Sequence, residues 1–181
     1  GFVGLGTMGG PMARNILRGG HAVRGFDMNP AAVAAHVEAG GTAAASPRQA
    51  AEGADVVITM LPDGPDVERA AMGDSGVLAG LKRGAVYIDM STIDPAVTRR
   101  VGEAVAARGA LMVDSPVGKT ADHAVAGTLT LMVGGEPEVE PVAHEGTVSV
   151  VGALDQLVQP VERRTAGDHA HQVAAAGRDH Q

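Results

Sequence analysis

Cysteine is absent from this 181-residue chain, and lysine occurs only at Lys82 and Lys119. Without cysteine there are no disulfides, no thiolate metal ligands and no thiol nucleophile. Aromatic side chains are equally scarce, with Phe2, Phe26 and Tyr87 as the whole set. A core must therefore be assembled from small aliphatic groups, chiefly Ala and Val. Basic runs never exceed two residues and the net charge is −7, so the basic stripe that nucleic-acid phosphates attract is missing. No apolar run reaches the roughly 20 residues needed to span a bilayer, and no signal-peptide pattern opens the chain. The expectation is a cytoplasmic protein with no nucleic-acid or membrane partner. At 45% hydrophobic residues, the composition is that of a folded domain.

What is present alternates between two periods. Gly1–Val3 is an apolar strand that begins in its middle, so its start is expected to be clipped. Met8, Met12 and Ile16 then mark one helical face, closed by Gly19-Gly20. His21–Asp27 reads as a second strand. Asn29 and Pro30 open a helix that Gly40-Gly41 stop. Thr42–Ala45 is a brief strand, and Ser46-Pro47-Arg48-Gln49 is a capping box. Asp55–Leu61 is continuously apolar, as a strand covered on both faces should be. A helix over Pro65–Met72, a strand at Val86–Asp89 and a helix capped by Asp94 and running to about Arg108 follow. Strands at Leu111–Asp114 and Thr128–Val133 complete the pattern. Such alternation predicts an α/β fold: a doubly wound, Rossmann-type, mostly parallel sheet with helices on both faces.

Gly4-Leu5-Gly6-Thr7-Met8-Gly9 is a G-x-G-x-x-G run that follows a strand and opens a helix. In that context Gly4 permits the tight turn and Gly6 lets a pyrophosphate approach the backbone. Gly9 lets the helix pack on the strand, and the helix N-terminus offers amide donors to phosphate. Asp27 ends the second strand, 18 residues beyond Gly9, where a carboxylate accepts hydrogen bonds from the adenosine ribose diol. A carboxylate there repels a 2′-phosphate, so NAD is favoured over NADP. Arg24 stands three residues too early to be the usual phosphate reader. The bland reading is that the glycines form only a turn and that Asp27 is only a cap.

The segments GFVGLGTMGGPMARNIL, VVITMLPDG, YIDMSTIDP and DSPVGKTADHAVAGTLTLMVGG, in this order and spacing, resemble the beta-hydroxyacid dehydrogenase family. That family includes 3-hydroxyisobutyrate dehydrogenases, tartronate semialdehyde reductases and sulfolactaldehyde reductases. The resemblance covers residues 1 to 142, which are expected to form an NAD-binding Rossmann domain. It implies that Thr7 and Met8 cradle the cofactor phosphates and that Leu61 and Pro62 pack near the adenosine half. It places Ser91 and Thr92 near the nicotinamide ribose, with Ser91 also on the substrate side. The alternative for Ser91-Thr92 is helix-start chemistry leading into Asp94.

Gly118-Lys119-Thr120 resembles the end of a phosphate-binding P-loop. That motif requires glycine at the position held here by Val113, so the P-loop reading is poor. In most of the family this place reads P-V-S-G-G, with the serine and amides on the substrate carboxylate. A Gly, a basic residue and Thr resemble the sulfolactaldehyde reductases more closely. The resemblance thus implies a substrate loop of Gly118, Lys119 and Thr120, completed by Gly127 and Thr128, for a small anionic hydroxy acid or semialdehyde. The alternative for Lys119 is a solvent-facing loop cation.

The family reaction moves hydride between an alcohol and nicotinamide while a lysine carries the proton. The resemblance puts that lysine in a K-x-x-N-N stretch near Gly167, where none is present. Lys82 lies in an LKRG turn. The catalytic lysine, the C-terminal all-helical family domain and the dimer or tetramer contacts that domain makes are therefore expected to be missing. Residues 143–181 hold four of the seven histidines, with a short strand at Val148–Val151 as the one regular element expected. They are expected to be an atypical, poorly ordered tail, for which a frameshift is one origin. Asp168, His169 and His171 sit together in it, without the patterned context of a metal site. Two readings stay open: a beta-hydroxyacid dehydrogenase whose 181-residue copy is inactive, and a non-catalytic dinucleotide-binding module.

Overall fold

The computed structural model describes residues 1–135. The expected tail at 143–181, with the Val148–Val151 strand, the Gly167 position and the group of Asp168, His169 and His171, lies outside the described residues. In chain order the elements are β1 (Phe2–Val3), α1 (Gly9–Arg18), β2 (Arg24–Phe26), α2 (Pro30–Glu38), β3 (Thr42–Ala43), α3 (Pro47–Ala51), β4 (Val56–Thr59) and α4 (Gly64–Met72). There follow α5 (Val77–Gly80), β5 (Val86–Asp89), α6 (Pro95–Ala107), β6 (Leu111–Asp114), β7 (Val117–Gly118), α7 (Ala121–Ala126), β8 (Thr130–Leu131) and β9 (Gly134–Gly135).

The main sheet has the order β3-β2-β1-β4-β5-β6-β9, parallel through β6, with β9 antiparallel at the edge. The strand order reverses at β1. The chain winds outward through β2 and β3, then returns to pair β4 on the other side of β1. This is the doubly wound Rossmann-type fold. Loops leaving β1 and β4 therefore diverge to opposite faces and open a crevice between them.

Both faces are covered, and successive side chains serve different cores. On one face Phe2, Ile58, Val86, Ile88 and Val113 pack with Met12 and Ile16 of α1 and with Ala124 of α7. On the other, Val3, Val57 and Tyr87 pack with Val67 of α4 and with Val101 and Val105 of α6. Each fully buried aliphatic side chain contributes on the order of 1.5–3 kcal/mol.

The helix starts at Asn29, Ser46 and Asp94 agree with the sequence, and Asp63 supplies a fourth cap that the sequence did not mark. Asn29 accepts from Ala31 N, Ser46 from Gln49 N, Asp63 from Asp66 N and Asp94 from Ala96 N. The capping box closes one residue early, since Gln49 Oε1 accepts from Ala45 N at 2.5 Å rather than from Ser46. Among α1, α2, α4 and α6, α1 alone begins without a side-chain cap.

Strand ends differ from expectation for local reasons. The second strand stops at Phe26 because the Asp27 carboxylate takes the Asn29 amide at 2.7 Å and turns the chain. The fourth stops at Thr59 because Leu61 N leaves the ladder for Ser91 Oγ at 3.0 Å. The strand expected over Thr128–Val133 shrinks to Thr130–Leu131 and pairs with Val117–Gly118 in a separate two-stranded sheet. Neither α7 nor β9 was signalled by periodicity.

Candidate functional site

The loop after β1 is held in shape by β2. Gly4 N donates to Phe26 O at 2.9 Å, and Leu5 N donates to Asp27 Oδ2 at 2.7 Å. Gly4 has φ +95°, and a Cβ there would lie 2.2 Å from Met60 O. A Cβ on Gly9 would lie 1.9 Å from Gly4 O. Packing within the protein therefore demands both of these glycines. Gly6 is different, because a Cβ built on it meets nothing within 4 Å. Among the described residues, packing gives no reason for glycine at this position.

A cavity of about 700 Å³ lies at the crevice. It gathers Gly4, Gly6, Thr7, Met8, Gly9, Asp27, Leu61 and Pro62, all singled out in the sequence. Met28, Asp66, Arg69 and Ala70 line it as well and were not anticipated. Met28 is 86% exposed and Arg69 pairs with Asp66 along α4. The spacing of Asp66 and Arg69 on one helical face was the available signal. Ser91, Thr92, Gly118, Lys119, Thr120, Gly127 and Thr128 do not line this cavity. Arg24 is occupied elsewhere, donating to Gln49 O at 2.8 Å and Glu52 O at 2.9 Å.

A dinucleotide fits these residues on the evidence of Gly6. Its open face, beside an uncapped helix start and a half-buried carboxylate, is room for a group that approaches the backbone from outside.

Ser91 does not start a helix. Asp94 caps α6, while the Ser91 hydroxyl accepts from Leu61 N at 3.0 Å and Ser91 N donates to Asp89 Oδ1 at 3.1 Å. The same Asp89 oxygen accepts from Thr59 Oγ1 at 2.8 Å. Thr59 has one hydroxyl proton, so in the 2.9 Å contact between Thr59 and Tyr87 the Tyr87 hydroxyl donates. Thr59 and Asp89 are fully buried. Burial pushes the Asp89 carboxyl above the usual carboxylate range, against hydrogen bonds from Ser91 and Thr59 that lower it. Burial, then the nearby Asp89, raises Asp114. Burial, again followed by Asp89, raises the Tyr87 phenol. Asp89 Oδ2 and the Ser115 hydroxyl, both buried, have no hydrogen-bond partner among the described residues. Thr59 and Asp89 were not singled out in the sequence, although a polar residue at the end of each apolar strand was the signal.

The Gly118–Thr128 loop docks on α1 through Asn15, whose Nδ2 donates to Ala124 O at 2.8 Å. Lys119 is in the left-handed region at φ 81°, and its ammonium donates to Thr128 O at 2.9 Å. Thr120 Oγ1 pairs with His123 Nδ1 at 2.9 Å, and Gly127 closes α7 at φ 71°. With its cation turned onto its own loop after a two-residue antiparallel strand, this is not a P-loop cradle.

A family model described as the NAD binding domain of 6-phosphogluconate dehydrogenase matches residues 1–152. The 3-sulfolactaldehyde reductase of Escherichia coli (strain K12) is 48% identical over 137 residues, which are 76% of this chain and 46% of that protein. The 3-hydroxyisobutyrate dehydrogenase of Pseudomonas aeruginosa is 50% identical over 137 residues, with the same coverage of 76% and 46%. A solved structure of Mycobacterium tuberculosis 3-hydroxyisobutyrate dehydrogenase with L-serine superposes with a TM-score of 0.74 at 38% identity, covering 84% of this chain and 50% of that one. The chain spans about half the length of the curated relatives it matches. It belongs to the family of the 6-phosphogluconate dehydrogenase NAD binding domain, and relatives carrying the beta-hydroxyacid dehydrogenase names match it as its motifs implied.

Proposed function

We propose that residues 1–142 act as the dinucleotide-binding domain of a beta-hydroxyacid dehydrogenase, holding NAD in preference to NADP. The carrying observation is Gly6, which no internal contact requires and which faces the cavity that Asp27 borders. Thr7, Met8 and the start of α1 would take the pyrophosphate, and Asp27 the adenosine ribose. One lone pair of each Asp27 oxygen is already used, by Leu5 N and Asn29 N, which leaves the others for the ribose diol. Leu61 and Pro62 would pack beside the adenosine, and Ser91 and Thr92 would meet the nicotinamide ribose. When bound, the nicotinamide supplies or accepts the hydride.

Gly118, Lys119, Thr120, Gly127 and Thr128 are proposed as the headgroup loop for a small hydroxy acid or its semialdehyde, of the 3-hydroxyisobutyrate, tartronate semialdehyde or sulfolactaldehyde class. Lys119 is a point charge suited to an anionic headgroup. Neither lysine is proposed as a proton carrier. Lys82 pairs with Asp55 at 2.6 Å, beside the start of β4, and Lys119 donates to Thr128 O. A positioned proton donor is worth roughly 10²–10⁴-fold in rate. The 181-residue chain is therefore proposed to bind the dinucleotide with negligible turnover, which keeps the binding-module reading in view.

The purified chain should be assayed with NAD and with NADP against 3-hydroxyisobutyrate and L-serine, alongside direct titration of both cofactors. Binding of NAD ahead of NADP with no turnover is the expected result. Robust turnover would overturn the inactive reading, and tighter NADP binding would overturn the cofactor preference.

A further inference from the structure

The β4 and β5 strands run in register from Val56 against Val86 to Thr59 against Asp89, and their ladder closes with Met90 N on Thr59 O at 2.9 Å. Beyond that point the backbone no longer ties the two loops together. Side chains do so instead. Thr59 donates to Asp89 Oδ1, Ser91 N donates to the same oxygen, and Ser91 Oγ receives Leu61 N. The path runs from the last residue of β4, through the buried carboxylate that ends β5, to both loops.

Stability alone does not explain a carboxylate here. A buried ionisable group with one oxygen unpartnered among the described residues is a poor substitute for an apolar side chain of similar size. Every partner that Asp89 Oδ1 does have is fixed at the base of a loop, and Tyr87 orients Thr59 from behind.

We propose that Asp89, oriented by Thr59, is a positioning residue that locks the Leu61–Pro62 loop to the Ser91–Thr92 loop. A dinucleotide seated on the glycine turn then meets a second loop already in place. The inference rests on the dinucleotide reading above. On this account Asp89 touches no ligand. Its effect travels through Ser91, and it falls on the half of the ligand that reaches past Leu61.

The test uses the full 181-residue chain with Thr59→Val, which keeps the branched shape and removes the hydroxyl, and with Thr59→Ser, which restores it. Titration with NADH and with AMP separates the two halves of the ligand. Thr59→Val should weaken NADH by about tenfold, the worth of one hydrogen bond, and AMP, which meets only the Leu61–Pro62 side of the lock, by clearly less. Thr59→Ser should recover NADH binding. Amide exchange at Leu61 and Ser91 should quicken together in Thr59→Val and slow again in Thr59→Ser. Equal weakening of NADH and AMP, or unchanged NADH affinity, would overturn the proposal. So would failure of Thr59→Ser to rescue, or unchanged exchange at the two amides. If the unsubstituted chain binds neither ligand, the dinucleotide reading falls by itself, and the exchange result alone decides whether the loops are locked.

Discussion

Leu5 N donates to Asp27 Oδ2 at 2.7 Å, so the carboxylate that borders the cavity also holds the glycine turn that forms its floor. Asp27→Ala therefore does two things at once. It strands the buried Leu5 amide, costing about 1–3 kcal/mol, releases the exposed Asn29 amide to water, and removes the acceptor proposed for the ribose. Urea denaturation should show the loss of stability. Titration should show NADH weakening more than NADPH. A variant as stable as the parent would contradict the hydrogen-bond account.

Gly4 and Gly6 should part company under the same substitution. Gly4→Ala forces a Cβ to within 2.2 Å of Met60 O at φ +95° and should cost more than about 2 kcal/mol. Gly6→Ala places its methyl in open space, and its stability should stay within about 0.5 kcal/mol of the parent. Thermal melts of the two variants, compared side by side, check this. Equal destabilisation would show that Gly6 serves packing after all.

His36 makes stability depend on acid. Its Nε2 lies 3.2 Å from Val23 O, and an added Cβ at Gly25 or Gly41 would strike the ring. Burial lowers its pKa, against the hydrogen bond to Val23 that raises it. With the folded value below the unfolded one, the unfolded chain binds the extra proton first. Stability is therefore full above the unfolded value of about 6.5 and is lost as pH falls through it toward the folded value. Denaturation midpoints of His36→Gln should fall less between pH 7 and the folded pKa than those of the parent. Parallel pH profiles would remove His36 as the cause.

Lys119 offers a test of the headgroup loop. Its left-handed backbone disfavours a side chain, so Lys119→Gly should leave stability unchanged or raise it by up to about 1 kcal/mol. In an active full-length relative carrying Lys at the matching place, the same substitution should raise KM for the anionic substrate and leave NADH binding alone. An unchanged KM would return Lys119 to the role of a surface cation.

Local chemistry accounts for what was legible in advance. Asn29, Ser46 and Asp94 announced three helix starts, and continuous apolar runs announced strands covered on both faces. The glycine spacing placed the crevice before any strand order was known, because turn, approach and packing each need glycine at a fixed offset. What stayed hidden depends on distant partners. Thr59 and Asp89 are 30 residues apart, and only the register of β4 on β5 brings them together. The β7–β8 pair is two residues long on each side, too short for alternation to show. The conformation of Lys119 leaves no trace in a lysine's identity. Ser91 does not cap α6, and its hydroxyl instead takes Leu61 N, a partner 30 residues away that no local pattern announces.

The open face of Gly6 is proposed to be there for a ligand. Calorimetric titration of NADH into the 181-residue chain and into Gly6→Val, both checked for folding by circular dichroism, tests this most directly. Saturable one-site binding by the parent, abolished in a folded Gly6→Val, is the predicted result. No binding by the parent, or equal binding by both, would contradict it.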